Sequence, residues 1–301
     1  MIKRLAIYYQ EMYPIIPRLF LAFVMFFEIY FLLLLNYQVP LTKISVGIPE
    51  IIGSLTIFIF LMLLRIVDDF KDYETDRRLF PERALPSGRV QKQDLIKVMV
   101  VAIAFIFISN LIWMNNFGFF LFLFIYGTLM SVWFFQKSKI QPNLILALVT
   151  HNPVQLVMNA YIISFTCFKY QVSLFSWTSF LVMLTLYFPA LIWEISRKVR
   201  APQDETAYVT YSSIFGYQKA TKFVLLLTAA DVVTNILLTI RLNKFATVVI
   251  VLNLIWFLLK GKQFLKDPTA FRLVEKVERY TYFLETLMVL VVIIYLLVGR
   301  L

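Results

Sequence analysis

Long apolar runs separated by short charged segments dominate this chain. A helix needs about 20 apolar residues to cross the hydrocarbon core of a bilayer. Runs close to that length occur near 18–36, 50–67, 95–114, 116–135, 144–166, 173–193, 221–240, 245–260 and 280–298. The pattern predicts an all-α polytopic membrane bundle of about nine transmembrane helices. Asn115–Asn116 leaves a tight turn between the third and fourth runs, and the eighth run is short. His151-Asn152-Pro153 interrupts the fifth. A proline inside a helix removes one donor and frees a carbonyl, so a kink is expected there. His151 is then either a structural histidine or a proton acceptor.

Charge sets the orientation. Of the 29 Lys and Arg, only Lys43, Lys169, Arg241, Lys244 and Arg300 fall on one side of a nine-span layout. All the others join the N-terminus and the 68–94, 136–143, 194–220 and 260–279 loops. Lys and Arg accumulate on the cytoplasmic side, so the N-terminus and these loops are expected in the cytosol. The first residues show no small-residue cleavage site of a signal peptide, and the N-terminus is expected to be retained.

Composition narrows the chemistry. The chain is 60% hydrophobic, above the ~45–50% of soluble domains. Its formal charge of +11 lies in loops between apolar runs, which points to anionic head groups and phosphate-bearing substrates and away from nucleic acid. A single cysteine, Cys167, excludes an internal disulfide, and a single histidine, His151, argues against a histidine-ligated zinc.

The informative loop follows the second run. It reads Arg65-Ile-Val-Asp68-Asp69-Phe-Lys71-Asp72-Tyr-Glu74-Thr-Asp76-Arg77-Arg78, and continues through Arg83 to Arg89. If the helix continues, each residue advances ~100°. Asp68, Asp69, Asp72 and Asp76 then share one face with Arg65, and Glu74 points away. Four carboxylates on one stripe repel one another, and a divalent cation relieves that repulsion. Oxygen donors without His or Cys select hard ions such as Mg²⁺, which is commonly held by one or two carboxylates plus substrate phosphates. The neighbouring basic residues suit phosphate oxygens. Acid for a metal and base for phosphate, at a membrane surface, suggest a lipidic diphosphate substrate. A solvated juxtamembrane charge cluster is the bland alternative.

This segment resembles the first aspartate-rich signature of the UbiA-type intramembrane prenyltransferases, N-D-x-x-D-x-x-x-D followed by R-P-L/I-x-x-G. Asp69, Asp72 and Asp76 match its aspartates, and Asp68 takes the asparagine position. Arg83-Ala84-Leu85-Pro86-Ser87-Gly88 matches the turn, with Ala84 in place of proline. Pro86-Ser87-Gly88-Arg89-Val90 is similar to the family's archaeal ether-lipid branch. The family's second acidic signature would fall after the sixth run. There the chain reads Trp193-Glu194-Ile-Ser-Arg197-Lys198-Val-Arg200-Ala201-Pro202-Gln-Asp204-Glu205. The D-x-x-x-D is absent and a basic run stands in its place, while Pro202 disfavours helix at Ala201.

The resemblance implies one transmembrane prenyltransferase-like domain over residues 1–301, with motif loops 65–92 and 194–216 and a central apolar cavity open to the cytosol. It implies catalytic and metal-holding roles for Asp68, Asp69, Asp72 and Asp76, with Glu194, Asp204 and Glu205 as further metal ligands. Mg²⁺ is the expected cofactor, with Mn²⁺ as a substitute. Lys71, Arg83, Arg89, Arg197, Lys198 and Arg200 are expected to bind the diphosphate. The expected partners are an isoprenyl diphosphate, an unidentified small-molecule or lipid acceptor, and membrane lipids. The expected reaction is ionisation of the diphosphate and transfer of the prenyl group to an aromatic or lipid acceptor. Intramolecular capture, a terpene cyclase, is the alternative; a lipid-binding protein or transporter is the reading from a different class.

Glu28, Asp231, Asn110, Asn159, Asn235 and Asn253 lie at or near bilayer depth. Carboxylates there are costly and mark functional candidates facing the interior. The asparagines are expected to make hydrogen bonds between helices.

Overall fold

The computed structural model describes residues 1–206 and 208–299, and among them helices supply all the regular structure. The chain forms two compact units, one of Met1–Phe27 with Ser45–Lys137, the other of Glu28–Ile44 with the chain from Ser138 onward.

The first unit contains α1 (Ile2–Glu11), the start of α2 (Ile15–Asn36), α3 (Ile48–Lys71), α4 (Tyr73–Leu79), α5 (Lys92–Trp113) and α6 (Phe117–Ser131). α3 starts where the Gly47 N–H donates to Glu50 Oε2 at 2.9 Å, followed by Pro49 in the first turn, a position that tolerates its missing donor. α3 packs on α5 and α6. The α6 contact is tight: a Cβ on Gly127 would sit 2.7 Å from a Phe60 ring carbon. Small residues let membrane helices approach in this way. Asn110 on α5 donates to Thr56 Oγ1 on α3 at 2.8 Å, the expected interhelical bond.

The second unit holds the end of α2, α7 (Lys137–Ile140) from its second residue, α8 (Leu144–His151), α9 (Val154–Tyr170), α10 (Trp177–Thr185), α11 (Tyr187–Ser196), α12 (Tyr211–Phe215), α13 (Tyr217–Thr239), α14 (Lys244–Lys266) and α15 (Leu273–Val298). Asn143, Ser176 and Asn243 cap α8, α10 and α14 through their side-chain oxygens. Gly216, at φ +80°, makes the corner between α12 and α13, a backbone state that favours glycine. α13 and α15 each pack on α14 and on α11. Asn159 donates to the Met183 carbonyl at 2.7 Å and Asn253 to the Tyr280 carbonyl at 3.2 Å, joining neighbouring helices as expected.

Among the described residues, seven stretches are long and apolar enough to cross a bilayer: α2, α3, α5, α10 with α11, α13, α14 and α15. They make the chain a multi-pass integral membrane protein. The expected fourth and fifth spans fall short of the same criterion for local reasons. α6 stops at Ser131 because Trp133, Phe134 and Phe135 turn through left-handed backbone, at φ 55°, 49° and 58°. The fifth run divides at Asn152–Pro153 into α8 and α9, the break that the proline predicts.

Candidate active site

The acidic loop occupies the end of α3, all of α4 and the turn beyond it. α3 ends at Lys71, and Asp72 interrupts the helix at φ −96°, ψ 5°. The hydrogen bonds Asp72 N–H to Asp68 O (2.9 Å) and Asp76 N–H to Asp72 O (2.8 Å) nevertheless run through the interruption. The single regular stripe expected from the spacing is therefore two helices sharing a hinge residue. The expected facing holds in part: Asp69 and Asp76 are buried and Asp68 is half-buried, but Asp72 is exposed, as Glu74 is.

Each buried carboxylate is gripped. Asp69 is 5% exposed, accepts from the Tyr8 hydroxyl at 2.6 Å, and pairs with Arg65 at 2.7 Å. Burial first, and then the Asp69 charge, push the Tyr8 phenol well above its ordinary range. Tyr8 therefore stays a neutral donor. Asp76 is 7% exposed and accepts from Arg83 at 2.7 Å. The Arg83 guanidinium lies 4.2 Å from the Phe80 ring centre, a stacked position that Lys would fill poorly. At the rim, Lys71 pairs with Asp68 at 3.3 Å and lies 4.4 Å over Trp133. That indole is set by the left-handed turn at 133–135, and non-glycine residues in such a state carry strain of order 1–3 kcal/mol each.

Asp72 differs from its neighbours. It is exposed and has no ion pair or side-chain hydrogen bond among the described residues. Desolvation by the surrounding protein, followed by the Asp68 charge, raises its carboxyl above the usual range. The site thus has an excess of negative charge at this residue.

The turn after α4 adds base. Gly88 sits at φ +76°, and Val90 N–H closes the turn on the Ala84 carbonyl at 3.0 Å. This directs Arg89 to Glu11 and to the Glu82 carbonyl, the latter at 2.5 Å. An open cleft of about 580 Å³ results, lined by Glu11, Met12, Arg65, Glu82, Arg83 and Arg89. Three guanidiniums border it, and Arg65 Nε is buried there with no hydrogen-bond partner among the described residues. A multiply charged oxyanion supplies the acceptors that such donors lack.

A divalent ion here would have to share its shell with a substrate. No three His, Cys, Asp or Glu side chains among the described residues close on a metal as a ready cage. Asp72, with Asp68 beside it, instead suits a hard ion that completes its shell with phosphate oxygens and water. The charge excess at Asp72 is what such an ion relieves.

The second loop is built otherwise. Glu194 pairs with Arg197 at 2.6 Å and Lys198 at 2.9 Å. Glu205 accepts from the Thr210 hydroxyl at 2.7 Å. Ala201 is extended, as Pro202 requires, and Pro202–Asp204 form a single 3₁₀ turn. Arg200 donates to Thr206 at 3.2 Å. Arg197, Arg200, Asp204 and Arg272 line a cavity of about 380 Å³ walled by Phe264 and Phe271.

Sequence reasoning missed Tyr8, Glu11 and Arg272, and gave Arg65 no role beyond its place on the stripe. α1 carries the first two, and Arg4 binds it to α5 through Asp94 at 2.5 Å and 3.0 Å. The signal was present: Arg4, Tyr8 and Glu11 recur at helical spacing, so they share a face that seeks partners. His151 lies with Nδ1 3.0 Å from Thr150 Oγ1.

No family model matches the chain, and no curated protein does so by sequence. Its fold is similar to that of a solved digeranylgeranylglyceryl phosphate synthase, a UbiA-type prenyltransferase, with a TM-score of 0.61 over 99% of each chain at 16% identity. At that identity the likeness concerns the fold.

Proposed function

We propose that this chain is a Mg²⁺-dependent membrane prenyltransferase, acting as one functional domain, that ionises an isoprenyl diphosphate and passes the prenyl group to an acceptor. The observation that carries the reading is the pairing of two buried aspartates with arginines that border an open basic cleft, on a helical membrane protein with the fold of a prenyltransferase. A merely solvated charge cluster does not bury its carboxylates at 5% and 7% exposure.

The residues divide the work. Arg65, Arg83 and Arg89 bind the diphosphate at the cleft and stabilise the charge that develops as it departs. Lys71, held over Trp133, adds a cation at the rim. Asp72 and Asp68 would hold the metal with the diphosphate oxygens, while Asp69 and Asp76 fix the arginines in place. When bound, the ion withdraws negative charge from the leaving group. Tyr8 keeps Asp69 oriented by donating to it. In the second loop, Arg197, Lys198 and Arg200 compensate charge, and Glu194 and Glu205 are already engaged by neighbours of their own loop. The positive-inside bias sets these loops and the N-terminus in the cytosol.

The likeness in fold to a digeranylgeranylglyceryl phosphate synthase makes a glyceryl phosphate lipid the first acceptor to try. Labelled geranylgeranyl diphosphate is supplied to the purified protein in lipid, with and without such an acceptor. Prenylated acceptor, formed with Mg²⁺ and lost on chelation, is the expected result. Cyclic hydrocarbon or alcohol without acceptor would favour the cyclase reading, and vesicle flux without diphosphate turnover would favour a transporter.

A further inference from the structure

Three acidic residues of the second unit lie inside the helical bundle with no basic partner. Glu28 on α2, Asp231 on α13 and Glu285 on α15 are separated by up to 257 residues in sequence, yet act on one another. Glu28 is 4% exposed and Asp231 0%. Glu285 is part-exposed as a residue, but both its carboxylate oxygens are buried. No Lys, Arg or His among the described residues acts on any of the three.

Donors and acceptors here do not balance. Asp231 is satisfied: the Tyr280 hydroxyl donates to Oδ2 at 2.9 Å and Asn235 Nδ2 donates to Oδ1 at 2.9 Å. The Glu28 and Glu285 carboxyls meet each other. Glu28 Oε1 and both oxygens of Glu285 nevertheless have no hydrogen-bond donor. The fully buried Asn235 side chain, turned into the cluster by its bond to Asp231, also leaves its Oδ1 without one. Four buried acceptors and no spare donor describe a site short of positive charge. Unsatisfied buried acceptors are rare and call for a missing hydrogen or ion.

Two ionised carboxylates in contact at bilayer depth are doubly unfavourable, through lost hydration and mutual repulsion. One hydrogen between them removes a charge and supplies a donor. A metal ion would need the carboxylates to converge as a cage, and no such group of three exists among the described residues. We propose that Glu28 and Glu285 bind a single shared proton, with Asp231, Tyr280 and Asn235 as the surrounding polar shell, so that the second unit holds a proton-binding site within the membrane. Tyr280 is the nearest link between the halves of the cluster, since it donates to Asp231 and also senses Glu285. The site stands on the second unit alone and does not depend on prenyl transfer.

Infrared titration of the full chain in lipid nanodiscs tests this. A protonated carboxyl shows a C=O stretch that shifts on exchange into D₂O. At neutral pH the unmodified protein should show that band, and the double variant Glu28→Gln, Glu285→Gln should lack it while keeping the same helical amide signal. If the double variant does not fold, dicyclohexylcarbodiimide carries the test on the unmodified protein. The reagent adds the O–H of a protonated carboxylic acid across one N=C bond, and the O-acylisourea rearranges to a stable N-acylurea. Peptide mass spectrometry should find that adduct on Glu28 or Glu285 at neutral pH, in a yield that falls as pH rises. Absence of the band from the unmodified protein overturns the proposal. So does a band that vanishes when sodium replaces potassium at constant pH, which would reveal a metal cation instead.

Discussion

The two charged loops spend their carboxylates in opposite ways. At the end of α3, buried Asp69 and Asp76 hold arginines at the border of an open cleft, and Asp72 is left with unmatched negative charge. After α11, Glu194 is occupied by two cations of its own turn and Glu205 by Thr210. A carboxylate gripped by two cations three and four residues away has little affinity left for a metal, whereas Asp68 has the single, longer pair with Lys71 at 3.3 Å. Unmatched charge such as that of Asp72 is what an incoming ion rewards. The comparison teaches that acidic residues count as ligands by what already satisfies them, rather than by number.

That contrast yields a graded set of outcomes. The largest should come from Asp76→Ala and Asp72→Ala: turnover falls by at least about a hundredfold, the scale seen when a charge-stabilising group is removed, in a single-turnover assay with the helical spectrum intact. Near-normal rates in both would break the contrast. Glu194→Ala should cost only a few-fold in the same assay, since its partners can turn to solvent. A hundredfold loss there would place the two loops on an equal footing.

Tyr8→Phe is expected next. It leaves Asp69 Oδ2 without its 2.6 Å donor, and an unsatisfied buried acceptor costs about 1–3 kcal/mol. Thermal unfolding in detergent should show the loss, with kcat reduced more than KM is raised.

Asp72 gives the comparison a pH axis. Its carboxyl titrates above the ordinary range, so its folded form takes a proton more readily than the unfolded chain does. Its contribution to stability is therefore present at low pH and lost as pH rises through the raised value. Catalysis needs the ionised form and should move in the opposite direction, declining as pH falls through that value. Added Mg²⁺ should raise the melting temperature at neutral pH, and Asp72→Asn should blunt that gain. The smallest effect is expected from Arg89→Ala, whose exposed pair with Glu11 is solvent-screened. kcat/KM for the diphosphate should fall by about twofold, with kcat lowered as well as KM raised.

Much of the molecule was legible from linear pattern. Helical class and membrane character follow from runs of apolar residues, because backbone donors in lipid must be satisfied within each segment. The break at Pro153 and the extended Ala201 were equally legible, since proline acts on its immediate neighbours. The stop at Ser131 was not: nothing in Trp133-Phe134-Phe135 announces three left-handed residues, which local preference opposes. Nor was the hinge at Asp72, because the spacing argument assumed one uninterrupted helix.

Residue order and composition alone settled that this chain lives in a bilayer and carries an aspartate array beside a basic turn. Period and hydropathy are short-range properties, and they need no fold to act. Folding alone determined which carboxylates are held and which are left wanting. Tyr8 reaches Asp69 across 61 positions, and Glu28 meets Glu285 across 257. The charge state of a buried acid depends on the donors and dielectric that surround it in space, and these come from chain segments far apart in sequence.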